Sequence, residues 1–305
     1  MLKEQEMNLV KLMEEFGSDD RCRARLEKLR WPDGVECPRC KSKQISHRKA
    51  RKKARYQFQC KSCRYDFSVT SGTFFHDSHL SLWKWFLAVY LIVESKKGIS
   101  ANQLKRTLGV TYKTAWYLSH RIRAALNEVD AQLLKGIVEV DETFVGGRME
   151  GEGRGYKGNK TVVVGAMQRN GNICLEVVRG TDRETLHGFI RGNTAGDTEA
   201  IYTDEWPAYR GIADKDTEHK TVKHRDKEYV AEGDVHTNSI ENVWSLLKRS
   251  IVGSYHQVSA KHLDAYLDEL EFRFNNRENP YMFRDAMLKL VVADNLPYAK
   301  LTRDI

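Results

Sequence analysis

Cys37, Cys40, Cys60 and Cys63 form the pattern C-x2-C-x19-C-x2-C, and few arrangements of a chain can satisfy it. Each C-x2-C pair sets two sulfurs on one tight turn, and four thiolates close a tetrahedron around Zn²⁺ with no open position. The spacing therefore predicts one structural zinc ion in a small ribbon. Tyr56, Phe58, Tyr65 and Phe67 alternate as strand residues do and supply its second arm. Disulfides are the other use of such thiols and are uncommon in a cytosolic chain. Cys22 and Cys174 have no partner at ligand spacing and are expected to be buried small hydrophobes.

The chain between and around these knuckles is basic. Residues 37–64 hold eleven Lys and Arg and no acid, with Arg48, Lys49, Arg51, Lys52, Lys53 and Arg55 at the centre. Such a patch neutralises phosphates and releases counterions, although a solvated loop is the bland alternative. The asymmetry extends further: residues 1–135 carry 27 Lys and Arg against 14 Asp and Glu, and the remainder 23 against 28. Polyanion binding is thus expected of the N-terminal half.

No membrane partner is expected, because the longest apolar run, WKWFLAVYLIV, is too short to span a bilayer and reads as a buried helix. The N-terminal stretch MLKEQEMNLVKLMEEF is amphipathic but carries four Glu, unlike a secretory or transit signal, so the expected location is cytoplasmic. From Gly98 to Leu126 the pattern is a helix-turn-helix. Ser100 caps a helix carrying Leu104 and Leu108, Gly109 breaks it, and Thr111 opens a second helix with Ala115, Trp116 and Ile122. That second helix is read as presenting Tyr112, Lys113, His120, Arg121 and Arg123 to DNA.

From about Gly136 the pattern turns to strands. IVEVDETFV, KTVVVGAMQ and NICLEVVRG are three of them, with Asn170-Gly171 as a hairpin turn. A helix over residues 182–191, a strand ending at Asp204, a short strand over 220–223 and a helix in HTNSIENVWSLLKRSI follow. The order β-β-β-α-β-α-β-α predicts an α/β fold with an RNase H-like mixed-sheet catalytic domain, preceded by the zinc ribbon and the helical helix-turn-helix domain. The glycine-rich stretch between the first two strands has no phosphate-loop pattern and reads as a hairpin tip. The segments are residues 1–35 (helical), 36–72 (ribbon), 73–135 (helix-turn-helix), 136–256 (catalytic) and 257–305 (C-terminal helices). In the last, Leu263, Leu267, Leu270 and Phe274 share a face expected to close the catalytic core or a dimer.

Asp141 and Asp204 interrupt apolar strands, where an unpaired charge is expensive. Glu241 lies on a helix whose Ile240, Val243, Leu247 and Ile251 form one stripe. Two strands and a helix can bring three carboxylates to one point, a hard-oxygen set that suits Mg²⁺ or Mn²⁺. Most single acidic residues are merely solvated, and strand alternation makes Glu142 and Glu205 read as outward groups or as groups supporting the ligands from behind. Lys248, seven residues past Glu241, shares its helix face and with Arg249 is expected to hold DNA phosphate. Trp244 reads first as core and second as a base-stacking surface.

Taken together, CPRC and CKSC, the helix-turn-helix, VDETFVGGR, IYTDEW, HTNSIENVWSLLKR and FRFNNR resemble the zinc-ribbon insertion-sequence transposases called ISXO-like, within the DDE superfamily. The resemblance implies a bacterial or archaeal, nucleoid-associated protein. It would bind terminal inverted repeats and target DNA as a homodimer or larger assembly, and catalyse strand cleavage and strand transfer with two Mg²⁺ or Mn²⁺ per site. Its first two catalytic positions fall on Asp141 and Asp204. The third is Glu, Asn or His in that family, so Glu241, Asn238 and His236 are all candidates. The 36 residues between Asp204 and Glu241 favour Glu241, with Asn238 as a neighbouring neutral oxygen and His236 as a cap. A structure-selective nuclease or resolvase would need the carboxylates without a sequence reader, and a zinc-ribbon regulator the reverse.

Overall fold

Helices in the N-terminal region begin where the sequence places short polar residues. Asn8, Ser18, Ser81 and Ser100 accept hydrogen bonds from backbone amides of α1 (Leu9–Phe16), α2 (Asp19–Arg30), α3 (Leu82–Val93) and α4 (Ala101–Leu108). Gly109 ends α4 in the left-handed conformation (φ 60°, ψ 50°), which a side chain would oppose. Thr111 then receives the Thr114 amide at 3.2 Å and opens α5 (Tyr112–Leu126). The helix-turn-helix is therefore present, with the break at the predicted glycine.

The computed structural model describes residues 6–48, 57–127, 132–146, 160–222 and 235–303. Lys49, Arg51, Lys52, Lys53 and Arg55, the centre of the basic run, lie outside the described residues, as does most of the glycine-rich stretch. Two compact units emerge, one of Met1–Leu126 with Asn279–Ile305 and the other of Asn127–Glu278. Among the described residues no helix is long and apolar enough to cross a membrane.

The first unit contains the ribbon, whose strands β1 (Ile45–His47), β2 (Phe58–Cys60) and β3 (Asp66–Phe67) pair antiparallel in that order. Its helical core joins Phe16, Phe86 and Phe283, with ring centroids 5.1 to 6.3 Å apart. Phe283 belongs to α9 (Met282–Val292), which packs on α3 and α5. The C-terminal segment is thus divided. Leu263, Leu267 and Leu270 of α8 (Leu263–Asn275) enter the core of the second unit, while α9 and α10 (Tyr298–Thr302) belong to the first.

The second unit is built on a five-stranded sheet. In spatial order it runs β6 (Ile173–Val178), β5 (Thr161–Gln168), β4 (Ile137–Val145), β7 (Ala200–Asp204), β8 (Glu218–Val222). The β4–β5 and β5–β6 pairs are antiparallel; β4–β7 and β7–β8 are parallel. Asn170, left-handed at φ 58°, makes the predicted hairpin turn. One sheet face packs Val138, Val140, Val164 and Ile201 against Leu186, Phe189 and Ile190 of α6 (Arg183–Asn193). The other packs Val163 and Met167 against Ile240, Val243 and Leu247 of α7 (Asn238–Ser250). A three-stranded antiparallel start, parallel additions beyond the first strand and a helix on each face are the RNase H-like arrangement. It departs from the expected order in one place: a single 3₁₀ turn, Pro207–Tyr209, connects β7 to β8 instead of a full helix.

Candidate functional site

The four cysteine Sγ atoms lie within 4.8 Å of one another, with Cys37 and Cys60 buried and Cys40 exposed. Each knuckle closes in the same way. The Lys41 amide donates to the Cys37 carbonyl at 2.9 Å and the Arg64 amide to the Cys60 carbonyl at 3.0 Å. Lys41 and Arg64 are both left-handed, at φ 59° and 60°. Four convergent soft donors on two preformed turns fit Zn²⁺. Arg48, expected to bind DNA, is exposed and pairs with Asp66 across the ribbon at 3.1 Å.

On the helix-turn-helix, only the first turn of α5 is open. Tyr112 is 49% exposed and Lys113 is exposed beside it. Arg121 is a correction to the expected DNA contacts, being 4% exposed. Its guanidinium donates to Asn295 Oδ1 at 2.7 Å and lies over the Trp85 ring at 5.0 Å. His120 and Arg123 are buried as well, because α3, α4 and α9 enclose the rest of α5. Helical periodicity cannot tell which neighbours will cover a polar residue. The exposed cations near the turn are Lys105 and Arg106 of α4, which the sequence reading did not single out.

The carboxylates gather where the sheet opens. β4 and β7 pair in parallel as far as Glu139 with Tyr202, and Asp141 and Asp204 each lie two residues further on. Divergence of parallel strands at their carboxyl ends creates a crevice, the usual ligand position in open α/β sheets. One cleft is lined by Asp141, Glu142, Asp204, Glu241, Lys248 and Arg249. Asn238 does not line it. Glu205 is exposed, as expected.

Of the two places that alternation allows Glu142, the structure favours the one beside the candidate ligands. Glu142 points to the α6 face, yet it lies beyond the last β4–β7 pair and lines the cleft, and the Tyr209 hydroxyl donates to its carboxylate. Trp244 is buried, and its Nε1–H donates to Asp141 Oδ2 at 2.9 Å. Gly165, the register partner of Asp141, leaves room for that ring, since a Cβ there would stand 2.5 Å from Trp244 Cη2.

Glu139 was overlooked in the sequence and is fully buried. Its carboxylate accepts from the Ser239 amide at 2.8 Å, the Ile240 amide at 3.2 Å and the Ser239 hydroxyl at 2.9 Å. Thr237, at the N-cap of α7, makes no side-chain cap bond. A carboxylate from β4 therefore caps the helix, satisfying orphan amides and favouring its positive end. His236 Nδ1, at 3.3 Å, and Arg169 Nε, at 3.4 Å, complete its surroundings. Glu139 and Asp141 share a face of β4, so the strand grips α7 at Ser239 and Ile240 and again at Trp244, and Glu241 lies between the two grips. The available signal was a second acid at alternating spacing in a buried apolar strand.

Burial, with the nearby charges of Asp204 and Glu241, pushes the Asp141 carboxyl up to about 6. Burial and the charges of Asp204 and Asp141 likewise raise Glu142 to about 7. An acid raised in the folded state holds its proton longer there than in the unfolded chain. The metal-free fold therefore loses stability as pH rises from the ordinary carboxylate range through about 6. Mutually repelling hard oxygens in a partly dry cleft fit a divalent cation, which would relieve that repulsion. We expect Gly165→Ala to displace Trp244, destabilise the fold by about 1–3 kcal/mol and slow catalysis while DNA affinity is kept. Thermal melting with a cleavage assay checks this.

Comparison with known proteins agrees with the geometry. A family model described as the ISXO2-like transposase domain matches residues 133–275, and one described as the transposase zinc-ribbon domain matches residues 17–66. An uncharacterized protein in transposable element ISH50 of Halobacterium salinarum is 30% identical over 276 residues, covering 85% of this chain and 91% of that one. An uncharacterized transposase-like protein of Haemophilus influenzae is 30% identical over 106 residues, 35% of this chain and 83% of that one. Among solved structures, the HTLV-2 integrase catalytic core domain in complex with magnesium is 17% identical (TM-score 0.27; 45% of this chain, 84% of that one). The Mos1 strand transfer complex is 12% identical (TM-score 0.30; 68% and 74%). At these scores the likeness carries no weight, and the fold rests on the strand order and layers described above. The ribbon, the carboxylate cleft and the near full-length relative agree that this chain belongs to the ISXO2-like insertion-sequence transposases.

Proposed function

We propose that Asp141, Asp204 and Glu241 hold two divalent ions, Mg²⁺ or Mn²⁺, and with them cut and rejoin DNA at the ends of the element. The observation that carries this is the convergence of three carboxylate-bearing elements, β4, β7 and α7, on one cleft whose other wall is Lys248 and Arg249. When bound, such ions lower the pKa of a water or 3′-hydroxyl and neutralise charge on the leaving oxygen. Asp141 and Asp204 supply the charge between which the ions would sit, and Glu241 supplies a third. Lys248 and Arg249 hold the phosphates flanking the reacting one. Trp244 and Glu139 fix Asp141 and α7 relative to each other, so the ligand set needs little rearrangement. Glu142, tied to Tyr209, adds a fourth carboxylate to the cleft.

Cleavage followed by strand transfer requires no covalent link to the protein, since the freed 3′-hydroxyl is itself the next nucleophile. Two ends must meet, so the working form contains at least two copies, in the cytoplasm of a bacterium or archaeon with its chromosomal DNA. Zn²⁺ in the ribbon is structural, and the ribbon and helix-turn-helix bind the inverted repeats. The test is incubation of the full chain with duplex carrying the element's ends. Nicking at the ends with Mg²⁺, absent with chelator and absent on duplex lacking the ends, supports the reading; cleavage unaffected by chelation overturns it.

End binding is expected to depend on Lys105, Arg106 and Lys113, the exposed cations at the helix-turn-helix. Because α9 packs on α3 and α5, this is tested in the full chain. Replacing each by Ala should weaken binding and reduce the slope of log K against log salt by about one per lost phosphate contact.

A further inference from the structure

We propose that Trp206 is a stacking platform for a nucleobase that leaves the duplex beside the scissile phosphate. The inference rests on the assignment of the carboxylate cleft. Large exposed side chains in the second unit are few, and among the described residues Trp206 (46% exposed) is the one whose ring is held in place and still open. Its backbone amide donates to Asp204 Oδ1 at 2.9 Å, which ties the residue to that carboxylate, although the ring itself does not line the cleft. Its indole Nε1–H donates to the Thr181 carbonyl at 3.0 Å, and Pro207 next in the chain starts the 3₁₀ turn. Both ends of the side chain are thereby fixed, and a pre-positioned aromatic face loses little conformational freedom on binding.

The segment that holds the indole carries exposed Arg179 and Arg183 on either side of Thr181. Between them Asp182 is engaged, accepting the Thr185 amide at 3.0 Å and the Thr185 hydroxyl at 2.7 Å at the start of α6. Aromatic faces flanked by cations bind single-stranded nucleotides by stacking with neutralisation of the neighbouring phosphate. Exposed Glu184 and Glu205 keep the surroundings from being simply basic, so the specific contribution is the base face and not charge alone. A phosphodiester against Asp204 puts its own nucleotides within reach of the ring. Unstacking one of them exposes the phosphate to in-line attack, and stacking on Trp206 offsets part of the unpairing cost.

The experiment measures end cleavage by the full chain on two duplexes, one fully paired and one mismatched at the base pairs beside the scissile phosphate. Trp206→Ala should slow cleavage of the paired duplex about tenfold or more, and Trp206→Phe should keep most of the rate. On the mismatched duplex, where unpairing is already done, Trp206→Ala should return to near the wild-type rate. Trp206→Leu replaces it if the Ala variant does not fold, since it keeps apolar bulk without a π face. A wild-type rate for Trp206→Ala or →Leu on the paired duplex, or an equal defect on both duplexes, overturns the proposal. Asp204→Asn serves as the separate control: inactive on both duplexes if the cleft assignment holds, active if that assignment, and not only the role of Trp206, is wrong.

Discussion

Asp141→Asn and Asp204→Asn are each expected to lower end cleavage by on the order of 10³-fold or more while leaving end binding unchanged, because each removes a ligand charge and almost no volume. Glu241→Gln should match them. Asn238→Ala should cost far less, since Asn238 does not line the cleft. Electrophoretic shift and nicking assays on the same preparations separate binding from chemistry. Full activity in Glu241→Gln with none in Asn238→Ala would move the third ligand to Asn238. The Asn at position 141 can still accept the Trp244 N–H, so the fold should persist.

Loss of the ribbon is the second large effect expected. Exchanging Cys37 and Cys60 for Ser, or stripping zinc with chelator, should unfold residues around the knuckles and abolish end binding. Structural zinc in modules of this size contributes about 10–16 kcal/mol, and little else holds a sheet of such short strands. Phe58 and Phe67 pack edge-on against Trp31, with ring centroids 5.6 and 5.9 Å away, but two aromatic contacts do not replace four metal bonds. Hydrogen exchange at β1 and β2 reads the outcome directly. A chelated chain that keeps slow exchange there and full DNA affinity would show the metal to be dispensable.

Where a residue's placement depends on its own strand or helix, the sequence was enough. Four cysteines at fixed spacing, Ser100 and Gly109 bounding a helix, Asn170-Gly171 between two strands, and acids interrupting apolar strands are local signals with local physical causes. Arg121 was misjudged, and Glu142 was left between two readings, for one shared reason, namely that what covers or opens a position is set by other elements. Arg121 sits on a helix that α3, α4 and α9 enclose, so a cation expected at the surface becomes a packed donor. Glu142 lies on the opposite strand face from Asp141 but beyond the end of the β4–β7 pairing, where it too borders the cleft. Glu139 required the docking of α7 to be known, since its partners are about a hundred residues away in sequence.

Metal occupancy tests the central claim most directly. Mn²⁺ binding to the zinc-loaded full chain, followed by electron paramagnetic resonance at pH 7.5 and pH 5.5, should show sites that Asp141→Asn and Asp204→Asn weaken or remove. Their affinity should fall at the lower pH, because Asp141 with its pKa near 6 and Glu142 near 7 then hold protons that a cation must displace. Mn²⁺ bound equally well by the wild type and by both Asn variants would contradict the assignment of the cleft.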